Sequence, residues 1–201
     1  MTATLPVFES SLETAQKPAS YPAAGWQYSW MDGLLGMSQW LVLALWLGAM
    51  VFFSAVVAPS AFGVLPTRHL AGTLVGSVLS KLEWWGLVCG VLLTGIQAAL
   101  VVRTGKRATW AGRFAVGLPI VMTITVAISK FVVSAKLAAI RAALGNELEK
   151  LPLSDPTRLT FATWHQYSVW LMGTNILAAV ALIVVHHMWL MPQFHRGKTG
   201  A

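Results

Sequence analysis

Charge is scarce in this chain, and negative charge is scarcest. Only seven Asp and Glu occur in 201 residues, and charged residues of both signs make up 10%, against roughly 25% in an ordinary soluble domain. That composition cannot clothe a soluble exterior. The lone cysteine, Cys89, excludes an intrachain disulfide and the usual zinc spacings; inside an apolar run it reads as a small hydrophobe. No glycine-rich phosphate loop, HExxH or GxSxG is present, so the nucleotide-binding, zinc-protease and serine-hydrolase signatures are missing and no enzymatic activity is expected. The N-terminus lacks the basic region and short apolar core of a secretory signal, so cleavage is not expected either.

What the chain does have is apolar residues, 56% of the total, and an excess of positive charge, +7. In a soluble chain that excess would suggest nucleic acid. Here the basic residues flank apolar runs, where they set topology and meet anionic lipid, so the expected partner is the bilayer and not nucleic acid. Residues 1–30 mix Pro, Ser, Thr and Gln without a helical period and read as a flexible tail. A membrane domain is expected over 31–192, with spans at about 33–57, 83–102, 114–133 and 160–190, each long enough for a hydrocarbon core of ~30 Å, and a short basic tail over 193–201. Pro59 is expected to end the first span. Leu70, Leu74, Val78 and Leu82 predict an interfacial helix ahead of the second span, and the stripe Leu137, Ile140 and Leu144 extends the third span beyond the membrane. The predicted fold is an all-α, integral membrane four-helix bundle with interfacial or extended helices between spans 1–2 and 3–4.

Four spans put both termini and the Arg103–Arg107 loop on one side. That loop, RTGKR, holds three positive charges, with Arg113 just beyond and no acid, and belongs in the cytoplasm. The expected location is a bacterial inner (plasma) membrane with cytoplasmic termini. His165 and His186 are 21 residues apart, ~32 Å on a straight helix, and so lie at opposite ends of the last span. One metal site cannot use both.

Two polar groupings follow. At the end away from the termini, Arg158, His165 and Ser168 share the depth expected for Glu83, at the entry to span 2, and Lys130, near the far interface. Residues three apart share a helix face, and pairing a carboxylate with an ammonium is the least costly way to keep both near hydrocarbon. These five residues form the candidate intramembrane polar site. They suit either a clasp between helix ends, each contact worth about 0.6 kcal/mol, or a proton-responsive or substrate-contacting pocket, since histidine changes charge near neutral pH. At the other end His186, His187, Met188, Met191 and His195 offer imidazole and thioether ligands of the kind that suit copper. Against this, adjacent histidines point to different faces. No cofactor is expected; copper there, or haem held by His165 and His69, is the alternative.

The run LWLGAMVFFSAVVAPSAF at Leu45–Phe62, Leu65 and Pro66 followed by Gly72, and the spacing of Arg158, Phe161, His165 and Ser168 together resemble the transmembrane protein 205-like family, also called domain of unknown function 4149. The first span is also similar, more loosely, to copper-resistance D membrane proteins. The resemblance implies a small four-span protein of undefined biochemical activity, with a eukaryotic relative linked to drug resistance and secretory trafficking. Two positions depart from the pattern. Met172 stands where the family commonly has an asparagine, the nearest here being Asn175, and Val133 and Ser134 stand where it tends to have an acid and a proline. The functional expectation is a non-enzymatic multi-pass membrane protein, either a small transport or tolerance factor or an accessory subunit beside a membrane-protein partner or a second copy. The alternative is a copper- or haem-binding redox protein.

Overall fold

The computed structural model describes residues 30–103, 105 and 109–196, the side chains of 189–196 excepted. The expected N-terminal tail lies outside these residues apart from Trp30, as does the end of the C-terminal tail. Among the described residues the structure is helical, without a strand. Four long apolar helices make it up: α1, Trp30–Val64; α2, Arg68–Arg103; α3, Trp110–Leu144; and α5, Pro156–Arg196. A single turn, α4 (Glu147–Lys150), lies between the last two. This is an all-α four-helix bundle.

The helix ends follow from local chemistry. Thr67 Oγ1 accepts the Leu70 amide, and Thr109 Oγ1 accepts the Gly112 amide, satisfying donors that a helix start leaves unpaired. Gly145 ends α3 at φ +51°, a conformation that L side chains rarely adopt. Asp155 Oδ1 accepts from the Thr157 amide at 2.8 Å and opens α5.

Two expectations need correction. The segment after Thr67 is not a separate interfacial helix. Arg68–Arg103 is one helix, because no proline interrupts it. Nor does Pro59 end α1. The helix widens into a π-turn at Phe53–Val57, closed by Ala58 N–H to Phe53 O. A proline lacks the N–H for residue i−4 and crowds its carbonyl; the wider turn takes up that misfit, and the helix runs on to Val64. Pro119 sits inside α3 without such a turn, and its own carbonyl accepts from Thr123 Oγ1 at 2.8 Å.

Each of the first three helices is about 52 Å long, more than a hydrocarbon core requires. Only 22% to 33% of the most apolar stretch of each long helix is buried within the bundle. Leu41, Leu45, Val91, Ile124, Trp170 and Leu177 point outward. So large an apolar exterior is what a bilayer covers.

Helix α3 packs most closely on α5 and α2, and α2 on α1; among these neighbouring helices the α1–α5 contact is the slightest. The core is Leu43, Trp46 and Met50 of α1, Leu93 of α2, Met122 and Val126 of α3, and Ala178, Ala179 and Leu182 of α5. One polar joint crosses it. Asn175 of α5 donates to Met122 O at 2.9 Å and to Thr125 Oγ1 at 2.8 Å, and its Oδ1 accepts from Trp46 Nε1 at 3.0 Å. Three helices are thereby held at one level. The Trp46 ring lies where a Cβ on Gly86 would be, so the glycine lets α1 and α2 close on the indole. Gly86→Ala is expected to cost about 1–3 kcal/mol by overpacking, read as a lower unfolding temperature in detergent. Adding Trp46→Phe to the same chain, which trims the ring, should recover part of the loss; an unchanged temperature for Gly86→Ala would count against this packing.

Candidate functional site

Glu83 is the only carboxylate among the described residues that is buried, at 3% exposure. It lies roughly midway along α2, deeper than the entry position expected from the sequence. Its Oε1 accepts from Ser129 Oγ at 2.6 Å and Ser134 Oγ at 2.7 Å. Those serines are five residues apart, a spacing that diverges on an α-helix. The second π-turn, Ser129–Ser134, stacks residues five apart and brings both hydroxyls to one oxygen. The Lys130 ammonium stands 4.0 Å from Glu83 Oε2, donates to the hydroxyl and carbonyl of Ser80, and lies 5.5 Å from the centre of the Trp84 ring. The Glu83 and Lys130 pairing expected from the sequence is present; the serines around it were missed, since an α-helical reading separates them.

Lys130 and Ser134 also form part of the wall of a cavity of about 1250 Å³, which lies between the four helices toward the end away from the termini and is partly open. Both π-turns border it, through Phe53 and Ser54 in α1 and through Lys130, Phe131 and Ser134 in α3. Its walls are mostly apolar, with Phe53, Phe62, Leu79, Val169 and Ile176 among them. His165 and Ser168 line it from α5 and His69 from α2. His165 is exposed along this wall and Ser168 is buried, with no hydrogen bond joining the two, so they are not arranged as a nucleophile and its base.

The remaining candidates separate. Arg158 stays outside the cavity: it donates to Leu151 O and Glu149 O and so fastens the connection ahead of α5. Glu83 lies behind the wall rather than in it. At the other end His186 is buried, its Nδ1 at 2.9 Å from Gln39 Nε2 and its ring edge-on to Trp40, whereas His187 and Met188 are exposed. Neighbouring positions thus diverge as helix geometry requires. The side chains of Met191 and His195 lie outside the described residues. Among the described residues no three His, Cys, Asp or Glu converge on a point that could hold a metal ion.

Sequence reasoning passed over Arg141. It flanks the stripe of Leu137, Ile140 and Leu144, reaches across to α2 and lines the cavity. Its guanidinium rests against Gly72 and Gly76, where added Cβ atoms would come within 3.5 Å of Nε and 2.9 Å of Nη1. On the other side it faces the Phe161 ring at 5.1 Å. The signal that could have found it is the pair of glycines four apart at the start of α2, which open room for a side chain from a neighbouring helix.

A family model described as a domain of unknown function (DUF4149) matches residues 41–145. That is 105 of the 201 residues. The chain belongs to this family. Comparison with curated proteins and with solved structures returned no match. The DUF4149 segment runs from α1 to the end of α3 and therefore contains Glu83, Ser129, Lys130, Arg141 and the glycines that seat it. It stops short of the Arg158–Ser168 motif and of His186–His195.

If Glu83 and Lys130 act as a pair, Glu83→Gln or Lys130→Met alone should destabilise the protein more than the two together, because each single change leaves one buried charge uncompensated. Losses that simply add in the double-mutant cycle would refute the pairing. Ser129→Ala and Ser134→Ala should each cost about 1.5–3 kcal/mol, as expected for a hydrogen bond to a charged group.

Proposed function

We propose that this DUF4149 protein is a non-enzymatic transport or tolerance factor that takes amphiphilic molecules out of the membrane into its central cavity. The observation that carries this is the cavity itself. Ligand pockets for drug-sized molecules run to about 300–1,000 Å³, and this one, at about 1250 Å³, is larger, mostly apolar, and bounded by helices whose outer faces suit lipid. The slight contact between α1 and α5, both of which line the cavity, supports a lateral entrance at that seam. The two π-turns support it as well, since such turns recur at functional sites. The basic Arg103–Arg107 loop supports cytoplasmic termini in a bacterial inner membrane, with the cavity in the opposite half of the bilayer.

The test uses the full chain in lipid nanodiscs and a hexadecanol carrying a diazirine in mid-chain. Irradiation should label residues between Phe53 and Phe62 and between Val169 and Ile176, unlabelled hexadecanol should compete, and Ile176→Trp, which fills the cavity, should abolish the labelling. Uncompeted labelling spread evenly over the outer apolar faces would sink the proposal. For topology, a fluorescent protein fused after Ala201 should light up in cells; a dark fusion, rescued by moving the reporter to the loop after Gly145, reverses the orientation. The redox alternative keeps one observation in its favour, that His69 and His165 line the same cavity. A Soret band on the purified protein, lost in His165→Ala, would replace the transport reading with that one.

A further inference from the structure

The cavity is apolar along most of its wall, but its ionisable groups have one sign. His69, Lys130, Arg141 and His165 line it, and no Asp or Glu does so among the described residues. The two permanent cations stand differently. Lys130 has the Glu83 carboxylate behind it at 4.0 Å and the Ser80 oxygens around it. Arg141 has the face of Phe161 and the backbone of two glycines; among the described residues no acid or hydrogen-bond acceptor meets its guanidinium. A charge held against apolar surroundings is costly unless paired. A guanidinium further offers a planar fork that matches carboxylate or phosphate oxygens.

We infer that the cavity's ligand is an anionic amphiphile, a carboxylate or phosphate on a hydrocarbon chain, with its head on Arg141 and its chain directed toward Phe53 and Ile176. This rests on the cavity reading above and names its ligand. The placement follows the helix register. Arg141 lies one turn from Gly145, at the cavity end of α3, and pairs across to Phe161, one turn before His165. The anion therefore sits near the helix ends, and His165 and His69 flank it. Lys130 and Phe53, at the two π-turns, border the deeper part, where the chain lies. Gly72 and Gly76 are the specificity device: without a Cβ at either position the guanidinium can lie close against α2 while still lining the cavity.

The experiment compares three diazirine probes of equal chain length in nanodiscs of phosphatidylcholine: the long-chain alcohol, the fatty acid, and a phosphatidylglycerol. In the wild-type chain the acid, the phosphatidylglycerol or both should label the cavity at lower concentration than the alcohol does. Arg141→Gln should weaken anion labelling about thirtyfold, the scale expected when one partner of a buried charge pair is removed, and leave alcohol labelling unchanged, which also reports that the variant is folded. Arg141→Lys should retain part of the anion preference. Gly76→Ala, which keeps the charge and displaces the guanidinium, should weaken the anion and spare the alcohol. Labelling by phosphatidylglycerol alone identifies the ligand as a lipid of the bilayer, and labelling by the acid alone identifies a free amphiphile; either supports the inference. Alcohol and anions labelling equally, with Arg141→Gln indifferent, overturns the anionic head group and leaves the cavity reading standing. If no probe labels the cavity, both fall.

Discussion

The burial of one carboxylate governs much of how this bundle is built. Glu83 sits midway along α2, where an ionised group without partners is untenable. Two hydroxyls and an ammonium from α3 make it tenable. To deliver both hydroxyls to one oxygen, α3 must widen at Ser129–Ser134, and a π-turn shifts the register of everything beyond it. Leu137 and Arg141 therefore face where they do because Glu83 is where it is. The wall of the cavity and the cation at its end depend on that shift.

The two halves of the bundle use polar groups differently. Toward the termini, Gln39 meets His186, and Asp32 pairs with Arg103; near the middle, Asn175 joins α1, α3 and α5. These contacts close the helices on one another, aided by Gly86 under Trp46. Toward the other end, the basic groups line space instead of filling it. The first half is closed by these contacts, and the second half encloses the cavity.

The apolar runs made the four helices legible, because a bilayer imposes length and composition together. The 21-residue interval made the separation of His165 from His186 equally plain, and charge sign made the Glu83 and Lys130 pair plain. Other features were out of reach for stated physical reasons. Ser129 and Ser134 share a face only on a π-turn, and an α-helical reading places them on different ones. Pro59 looks like a terminator unless the preceding turn widens. Arg158 was grouped with the site because it shares a helix with His165, but its guanidinium had carbonyls nearer at hand, at Leu151 and Glu149. Asn175 stood out only as a displaced family asparagine; its role as the joint of three helices depends on which backbone it faces, and spacing along one helix does not contain that.

Arg141 shows the same limit from the other side. On α3 alone it is the polar flank of an apolar stripe, ordinary for a helix leaving the membrane. Its meaning comes from Gly72 and Gly76 on another helix, which turn a flank into a seat. A guanidinium reaching water from that position would need no such seat, since a lysine or arginine stem snorkels freely past larger residues. Two glycines under it, four apart and inside the DUF4149 segment, let the charge lie against α2 at the cavity wall, and that placement is the basis for the anionic occupant proposed above.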